Sequence, residues 1–131
     1  MKLSVHSENK LMLTFAAWDV CNDYAAPMYN YLVHGYSPGS CFTAILANDF
    51  AGAILRSHPA NTIAALKSLS GWIRDKMPHE ANGSYETVNA WLNLTDDARR
   101  AILENRQLVF TEQQEVWAVL QNAPIVDTEL Y

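Results

Sequence analysis

Two helix signals are joined without a spacer in the stretch His34-Gly35-Tyr36-Ser37-Pro38-Gly39-Ser40, which continues directly into Cys41-Phe42-Thr43-Ala44-Ile45-Leu46-Ala47-Asn48-Asp49-Phe50. Gly35 favours a left-handed helix end. Ser37-Pro38-Gly39 favours a tight turn, and Ser40 is a common N-terminal helix cap. The stretch therefore predicts that one helix ends at Gly35 and that the next begins at Ser40.

Apolar residues recur at helical spacing on both sides of this stretch. Before it, a helix is predicted to begin near Pro27, a residue that suits a first helical turn. After it, one central helix is predicted from Ser40 to about Arg56, because the apolar residues there form a wide stripe. That stripe consists of Phe42, Ile45, Leu46, Phe50, Ala53 and Ile54.

Four further helices are predicted between this stripe and the C-terminus. One runs from Ile63 to Met77, a short one opens at Ser84, and a third is capped by Thr95 and reaches about Asn105. The last begins at Thr111-Glu112-Gln113-Gln114, which is a capping box, and its apolar spacing continues to Ala123.

The predicted fold class is mainly α: a compact single-domain helical bundle of about six helices. At 131 residues and 50% hydrophobic composition, the chain suits one domain spanning residues 1–131. Residues 1–20 are predicted to form an N-terminal arm or a short β-hairpin, because apolar residues alternate over 11–16. The C-terminal helices are predicted within 95–123, and a tail within 124–131.

Charge and cysteine content limit the classes of function. The net charge is −5, which makes tight binding to a nucleic-acid backbone improbable without a local basic face. Residues 56–78 carry four cations and one carboxylate, whereas residues 79–131 carry three arginines and nine carboxylates. The two cysteines favour a reducing compartment. No signal-peptide pattern or membrane-length apolar run is seen, so a cytoplasmic protein without a membrane partner is expected.

The sequence lacks the common signatures of catalysis and cofactor binding. A zinc-binding His-Glu-x-x-His motif would need His at position 83, where Gly83 stands. Ser40 and Cys41 are the nucleophile candidates at a sharp turn, but their flanks do not form a nucleophile elbow. No phosphate-binding or dinucleotide-binding glycine pattern is present. We therefore expect no metal and no cofactor, and enzymatic activity is unsupported without being excluded.

The sharpest candidate for a functional residue is Asp49. In the predicted central helix it lies on or beside the apolar face, where an unpaired carboxylate would be costly. Its donor could be Arg56, a residue of another helix, the amides opened by Ser84 or Thr95, or a ligand, and structural pairing is the more frequent outcome. The candidate ligand-binding residues are Tyr36, Ser40, Asn48, Asp49, Arg56, Lys67 and Arg74.

The pattern His34-Gly35-x-x-Pro38-Gly39-Ser40-x-Phe42-x-Ala44-x-Leu46-x-Asn48-Asp49-Phe50, with Pro27-Met28-Tyr29 before it and Gly83-Ser84 to Trp91 after it, resembles small uncharacterised proteins of bacteriophages and prophages. The resemblance covers about residues 26–92, which form the family-like core. It implies a phage product made in the host bacterial cytoplasm, accessory to replication or directed at a host system. It transfers no catalytic or binding residues.

These observations lead to one leading hypothesis and two alternatives. The first is a non-enzymatic phage accessory binding protein that occupies a host factor or sequesters a small anionic, nucleotide-like signal, as in counter-defence. The second is an acidic inhibitor that binds a host enzyme through the carboxylates of residues 79–131. The third is a small hydrolase that uses Asp49 or a histidine as general base. Homo-oligomerisation is expected in the first case.

Overall fold

The structure is a computed structural model that describes residues 11–106 and Leu108. Within this part of the chain the fold is mainly helical and contains no β-strand, which confirms the predicted fold class. The α-helices are α1 Ala25–Tyr29, α2 Ser40–Leu46, α3 Phe50–Arg56, α4 Ile63–Lys76, α5 Tyr85–Leu92 and α6 Asp96–Asn105. Short 3₁₀ helices occupy Thr14–Trp18, Asn22–Tyr24 and His79–Ala81, and a π-helical turn, Asn30–His34, continues α1. None of the described helices is long and apolar enough to cross a lipid bilayer.

Hydroxyl side chains cap three of these helices and fix where they begin. The hydroxyl oxygens of Thr62, Ser84 and Thr95 accept hydrogen bonds from backbone amides three residues later, at 3.0, 3.0 and 3.1 Å. These bonds satisfy amides that have no partner inside the helix. The starts predicted at Ser84 and Thr95 are confirmed. The helix predicted from Thr111 and the predicted tail at 124–131 lie outside the described residues.

The alternation over residues 11–16 does not produce a strand. Leu11–Leu13 are helical and the 3₁₀ turn of Thr14–Trp18 follows, so the strand expected over residues 11–16 is wrong, while residues 1–10 of the predicted arm or hairpin lie outside the described residues. Leu11 and Phe15 are both buried, and their spacing of four places them on one helical face. The hydroxyl of Thr14 also accepts a hydrogen bond from Trp72 Nε1 at 2.8 Å.

The predicted central helix is interrupted, so the prediction of one helix from Ser40 to Arg56 is wrong. Asn48 has a left-handed conformation, with φ of 65°, which asparagine tolerates better than most residues. The amide of Asn48 donates to the Ile45 carbonyl at 3.1 Å, and that of Asp49 donates to the Ala44 carbonyl at 2.8 Å. This pair of bonds is the Schellman motif that ends a helix. Helix α3 then begins at once.

The core is rich in aromatic side chains whose polar atoms are paired. Tyr31 donates its hydroxyl to the Ala81 carbonyl at 2.6 Å, and Trp91 donates Nε1 to the Tyr31 carbonyl at 3.1 Å. Burial also raises the pKa of Tyr31 far above its ordinary value. These bonds connect the π-helical turn, the segment before α5 and α5 itself.

The guanidinium of Arg99 is buried among the C-terminal ends of two helices. The residue is 3% exposed. It donates to the carbonyls of Val33 and His34, at 3.4 and 3.2 Å, and to those of Trp91 in the last turn of α5 and Leu94 just after it. Asp96, one turn earlier on α6, supplies the carboxylate partner. Arg99 thus stabilises carbonyls at these helix ends, where the partial negative charge favours a cation.

Two features require glycine at position 35: its backbone conformation and the closeness of Arg99. Its φ of 67° is left-handed, as predicted for the end of this helix. A Cβ at this position would lie 2.6 Å from Cζ of Arg99. The glycine therefore leaves room for the guanidinium to reach the helix end.

The ring of Trp18 packs on Gly71, in the middle of α4. A Cβ on Gly71 would lie 2.5 Å from the ring of Trp18. The same ring donates Nε1 to Asp75 Oδ2 at 2.7 Å. A glycine inside a helix ordinarily costs about 0.5–1 kcal/mol relative to alanine, and here it creates the space for this contact.

We expect Arg99→Met to lower the free energy of unfolding by about 3–5 kcal/mol, because several buried carbonyls lose their donor. Urea unfolding followed by circular dichroism measures this loss. The matched control is Arg106→Met, which removes an exposed ion pair with Glu80 at 3.3 Å and should cost less than about 1 kcal/mol. Equal losses in the two variants would contradict a central structural role for Arg99.

We expect Gly71→Ala to destabilise the chain that contains Trp18 and to stabilise a Trp18→Ala chain by about 0.5–1 kcal/mol. In the Trp18→Ala chain, alanine stabilises the helix relative to glycine, and no ring occupies the space beside position 71. Unfolding of the four chains in urea gives the coupling between the two positions. Additive effects would show that the ring does not pack on this glycine in solution.

Candidate functional site

Asp49 is the N-cap of α3, and both carboxylate oxygens have partners. Oδ1 accepts from the Gly52 amide at 3.0 Å, and Oδ2 accepts from the Tyr85 hydroxyl at 2.6 Å. Arg56 NH1 lies 3.8 Å from Oδ2 and donates to the Tyr85 oxygen at 3.1 Å. The side chain of Asp49 is 38% exposed, so it lies at the surface end of the helix and not within an apolar face.

These contacts keep Asp49 ionised. The hydrogen bond from Tyr85, then that from the Gly52 amide and the charge of Arg56 hold the pKa of the carboxyl below its ordinary value. A carboxylate with a lowered pKa is a weak proton acceptor at neutral pH. Two of the partners that the sequence suggested for Asp49 are therefore found: Arg56 and a residue of another helix, Tyr85.

Arg74 lies on the other side of the turn between α2 and α3. Its NH2 group donates to the Ile45 carbonyl and to Asn48 Oδ1, both at 3.0 Å, and its NH1 group donates to Asn82 Oδ1 at 2.8 Å. All three acceptors are neutral oxygens. Within the part of the chain that the structure describes, no carboxylate forms an ion pair with Arg74. Partial burial lowers the pKa of its guanidinium, which nevertheless remains charged at neutral pH.

The contacts of Asp49 and those of Arg74 form at the same turn because the segment before α5 is hydrogen-bonded to the end of α2. The Gly83 amide donates to the Leu46 carbonyl at 2.7 Å. Asn82 and Tyr85, on either side of this bond, then reach Arg74 and Asp49 respectively. We call this arrangement the corner site and define it by Asn48, Asp49, Arg56, Arg74, Asn82 and Tyr85.

Three candidate residues stand apart from these contacts. Tyr36 is 62% exposed and stacks on His34 with ring centroids 5.4 Å apart. Ser40 is exposed and does not cap α2, so that prediction is wrong: Gly39 is the N-cap, and no side chain supplies a bond. Lys67 is exposed on α4, two turns before Arg74. Trp72, which lies between Lys67 and Arg74 on the same helix, is fully buried.

Cys41, a nucleophile candidate in the sequence, lies in an unreactive environment. Its thiol donates to the Ala53 carbonyl at 3.4 Å, and burial raises its pKa. A raised pKa decreases the fraction of thiolate, which is the nucleophilic form. Cys21 is exposed, and both cysteines are free.

Asn82 and Tyr85 belong to the corner site but are absent from the sequence-based candidates. Their neighbours carry local signals, since Gly83 favours a turn and Ser84 a helix cap. Tyr85 and Asp49, however, are 36 positions apart. No local pattern indicates a contact over that separation.

Comparison of the chain with protein-family models, with curated proteins and with solved structures gives no match. The roles of the corner-site residues therefore rest on their own geometry. Among the described residues, no group of three or more His, Cys, Asp and Glu side chains could hold a metal ion. The chemistry that the site offers is the positive charge of two arginines beside amide and phenol groups.

We expect Tyr85→Phe to raise the pKa of Asp49 towards its ordinary value of about 3.9, because its main stabilising hydrogen bond is lost. NMR titration of the Asp49 carboxyl carbon measures the change. Asp75, whose pKa is lowered chiefly by Trp18, is the internal control and should not shift. Since the folded-state pKa of Asp49 is the lowered one, its stabilisation is complete above about pH 5 and is lost as pH falls through that pKa. An unchanged Asp49 titration would contradict the contact.

Proposed function

We propose that this protein is a non-enzymatic binding protein that takes up a small anionic, nucleotide-like molecule at the corner site. The observation that carries the proposal is the environment of Arg74. Its guanidinium is held in place by neutral oxygens and the residue as a whole is exposed, so its charge is oriented but not neutralised by an ion pair within the described residues.

The geometry of Arg74 leaves hydrogen-bonding capacity for a ligand. A guanidinium has five N–H donors. Three hydrogen bonds connect it to Ile45, Asn48 and Asn82, and two donors remain. Charge-assisted bonds to a phosphate or carboxylate are stronger than bonds to neutral acceptors. An anion placed here would therefore gain more than an uncharged ligand.

A second cation and an aromatic ring are linked to Arg74 through adjacent residues of the turn between α2 and α3. Asn48, which contacts Arg74, is followed in the chain by Asp49, which pairs with Arg56. The side chain of Arg56 is 48% exposed, but its charge is shared with Asp49, so it is the weaker anion partner. Tyr85 is 47% exposed and offers an apolar ring beside these charges. Charge next to an aromatic surface suits a nucleotide better than an inorganic ion.

The biological setting of this proposal comes from the sequence resemblance. We propose a phage-encoded accessory protein that acts in the host bacterial cytoplasm and sequesters a signal molecule or occupies a host factor. Homo-oligomerisation belongs to the same proposal, since a shared site would enclose more of a ligand's surface.

The two alternative functions receive less support from the geometry. Hydrolysis by Asp49 would need a proton acceptor, and the contacts of this carboxylate lower its pKa. Inhibition through an acidic surface would use the carboxylates of residues 79–131. Two of these carboxylates, Asp96 and Asp97, are exposed in the first turn of α6. Their negative charges interact favourably with the helix dipole there, which explains their position without a binding partner.

We expect the protein to bind cyclic or linear nucleotides in calorimetry, and Arg74→Gln to weaken that binding by roughly 10- to 100-fold. This range corresponds to the loss of a charge-assisted contact of about 1.5–3 kcal/mol. Lys67→Gln removes the same charge from the same helix without touching the corner site and should leave the affinity unchanged. Thermal melting of both variants checks that the fold persists.

Mass spectrometry of the denatured protein tests the same proposal without a chosen ligand. A phosphate-bearing molecule released on denaturation would support it. Failure of both measurements would remove the proposal of a sequestered anion. Equal weakening by Arg74→Gln and Lys67→Gln would show that net charge, and not the corner site, controls binding.

A further inference from the structure

An apolar edge is exposed where α3 passes into α4. Leu55 is 86% exposed and Ile63 is 60% exposed, and Pro59 and Ala60 between them are also exposed. The connecting turn is closed by a hydrogen bond from the Asn61 amide to the His58 carbonyl at 2.8 Å. We call Leu55, Pro59, Ala60 and Ile63 the apolar edge. Covering these two large aliphatic side chains would remove apolar area from water, which is favourable.

The charged residues of the segment that carries the apolar edge are all cationic, although one of them, Arg56, pairs with Asp49. Residues 50–74 contain no carboxylate, although the chain as a whole carries a net charge of −5. The same residues contain Arg56, Lys67 and Arg74. Whatever covers the edge is therefore favoured if it combines apolar and acidic side chains.

The chain's own C-terminal residues have this composition. Residues 109–131 carry four carboxylates and no lysine or arginine. Their apolar residues Val116, Val119, Leu120 and Ala123 recur at the spacing of an amphipathic helix. The carboxylates are Glu112, Glu115, Asp127 and Glu129.

The connection to the described part of the chain permits contact within one molecule. Leu108 is buried, and its amide donates to the Leu103 carbonyl at 2.9 Å, which fixes the start of the segment. At about 3.3 Å per residue, 23 extended residues reach roughly 75 Å. A globular chain of this length has a radius of gyration of about 14 Å. Tethering also gives a high effective concentration, so a weak contact suffices.

We propose that residues 109–131 bind the apolar edge of the same molecule. Their apolar face covers Leu55 and Ile63, and their carboxylates lie near the cations of residues 56–74. Arg56 and Arg74 also belong to the corner site, so the test changes Leu55 and Ile63, which do not belong to it. Failure of this contact is thereby distinguishable from failure of ligand binding.

Paramagnetic relaxation in the full chain tests this contact. A nitroxide is attached at Ala60→Cys, after Cys21→Ser and Cys41→Ala remove the native thiols. We expect the amide signals of residues 109–131 to lose at least half their intensity relative to the chemically reduced label. Adding Leu55→Glu and Ile63→Glu should restore the signals, because both changes remove apolar surface and repel the acidic segment.

Matched controls separate the outcomes. Leu13 is 56% exposed, so Leu13→Glu makes the same chemical change elsewhere and should leave the signal loss intact. Absence of signal loss would overturn the proposal, as would a loss that persists in the Leu55→Glu/Ile63→Glu chain. A mixture of ¹⁵N-labelled unmodified chain with unlabelled nitroxide-bearing chain detects contact between molecules. Signal loss that also appears in that mixture would assign the edge to a second copy instead and overturn the proposal.

Discussion

The buried guanidinium of Arg99 is the interaction on which the arrangement of helices depends. The carbonyl ends of the π-helical turn and of α5 approach the same point. Two partial negative charges at such ends repel one another unless a cation lies between them. Arg99 provides that cation from α6, with Asp96 as its counter-ion. One side chain thereby joins three parts of the bundle that are separated by up to 66 positions.

This constraint extends to the corner site through the glycine-containing connection. Gly35 lets the chain turn beside Arg99, and α2 begins soon afterwards at Ser40. The end of α2 is then held by Gly83 and by Arg74, both of which bind its carbonyls. The corner site consequently forms where backbone groups at a helix end need partners, and its polar side chains serve the fold as well as any ligand.

Local signals explain which features could be predicted from the sequence. Ser84, Thr95 and Gly35 act on amides or dihedral angles within a few residues, and their effects were predictable. The break at Asn48 was not, because the apolar stripe continues across it with unchanged helical spacing. The burial of Arg99 and the contact between Tyr85 and Asp49 depend on distant parts of the chain. Arg74 was predicted as a candidate, but its neutral partners became evident only from the folded arrangement.

The division of residues 40–56 into two seven-residue helices has a consequence for cooperativity. Isolated helices shorter than about 12–15 residues are marginal in water, because initiation consumes more conformational entropy than so few hydrogen bonds return. Neither α2 nor α3 can therefore persist once α4 and α5 detach. The polar groups between these two helices should lose their arrangement in the same transition as the hydrophobic interior, without a separate early melting step.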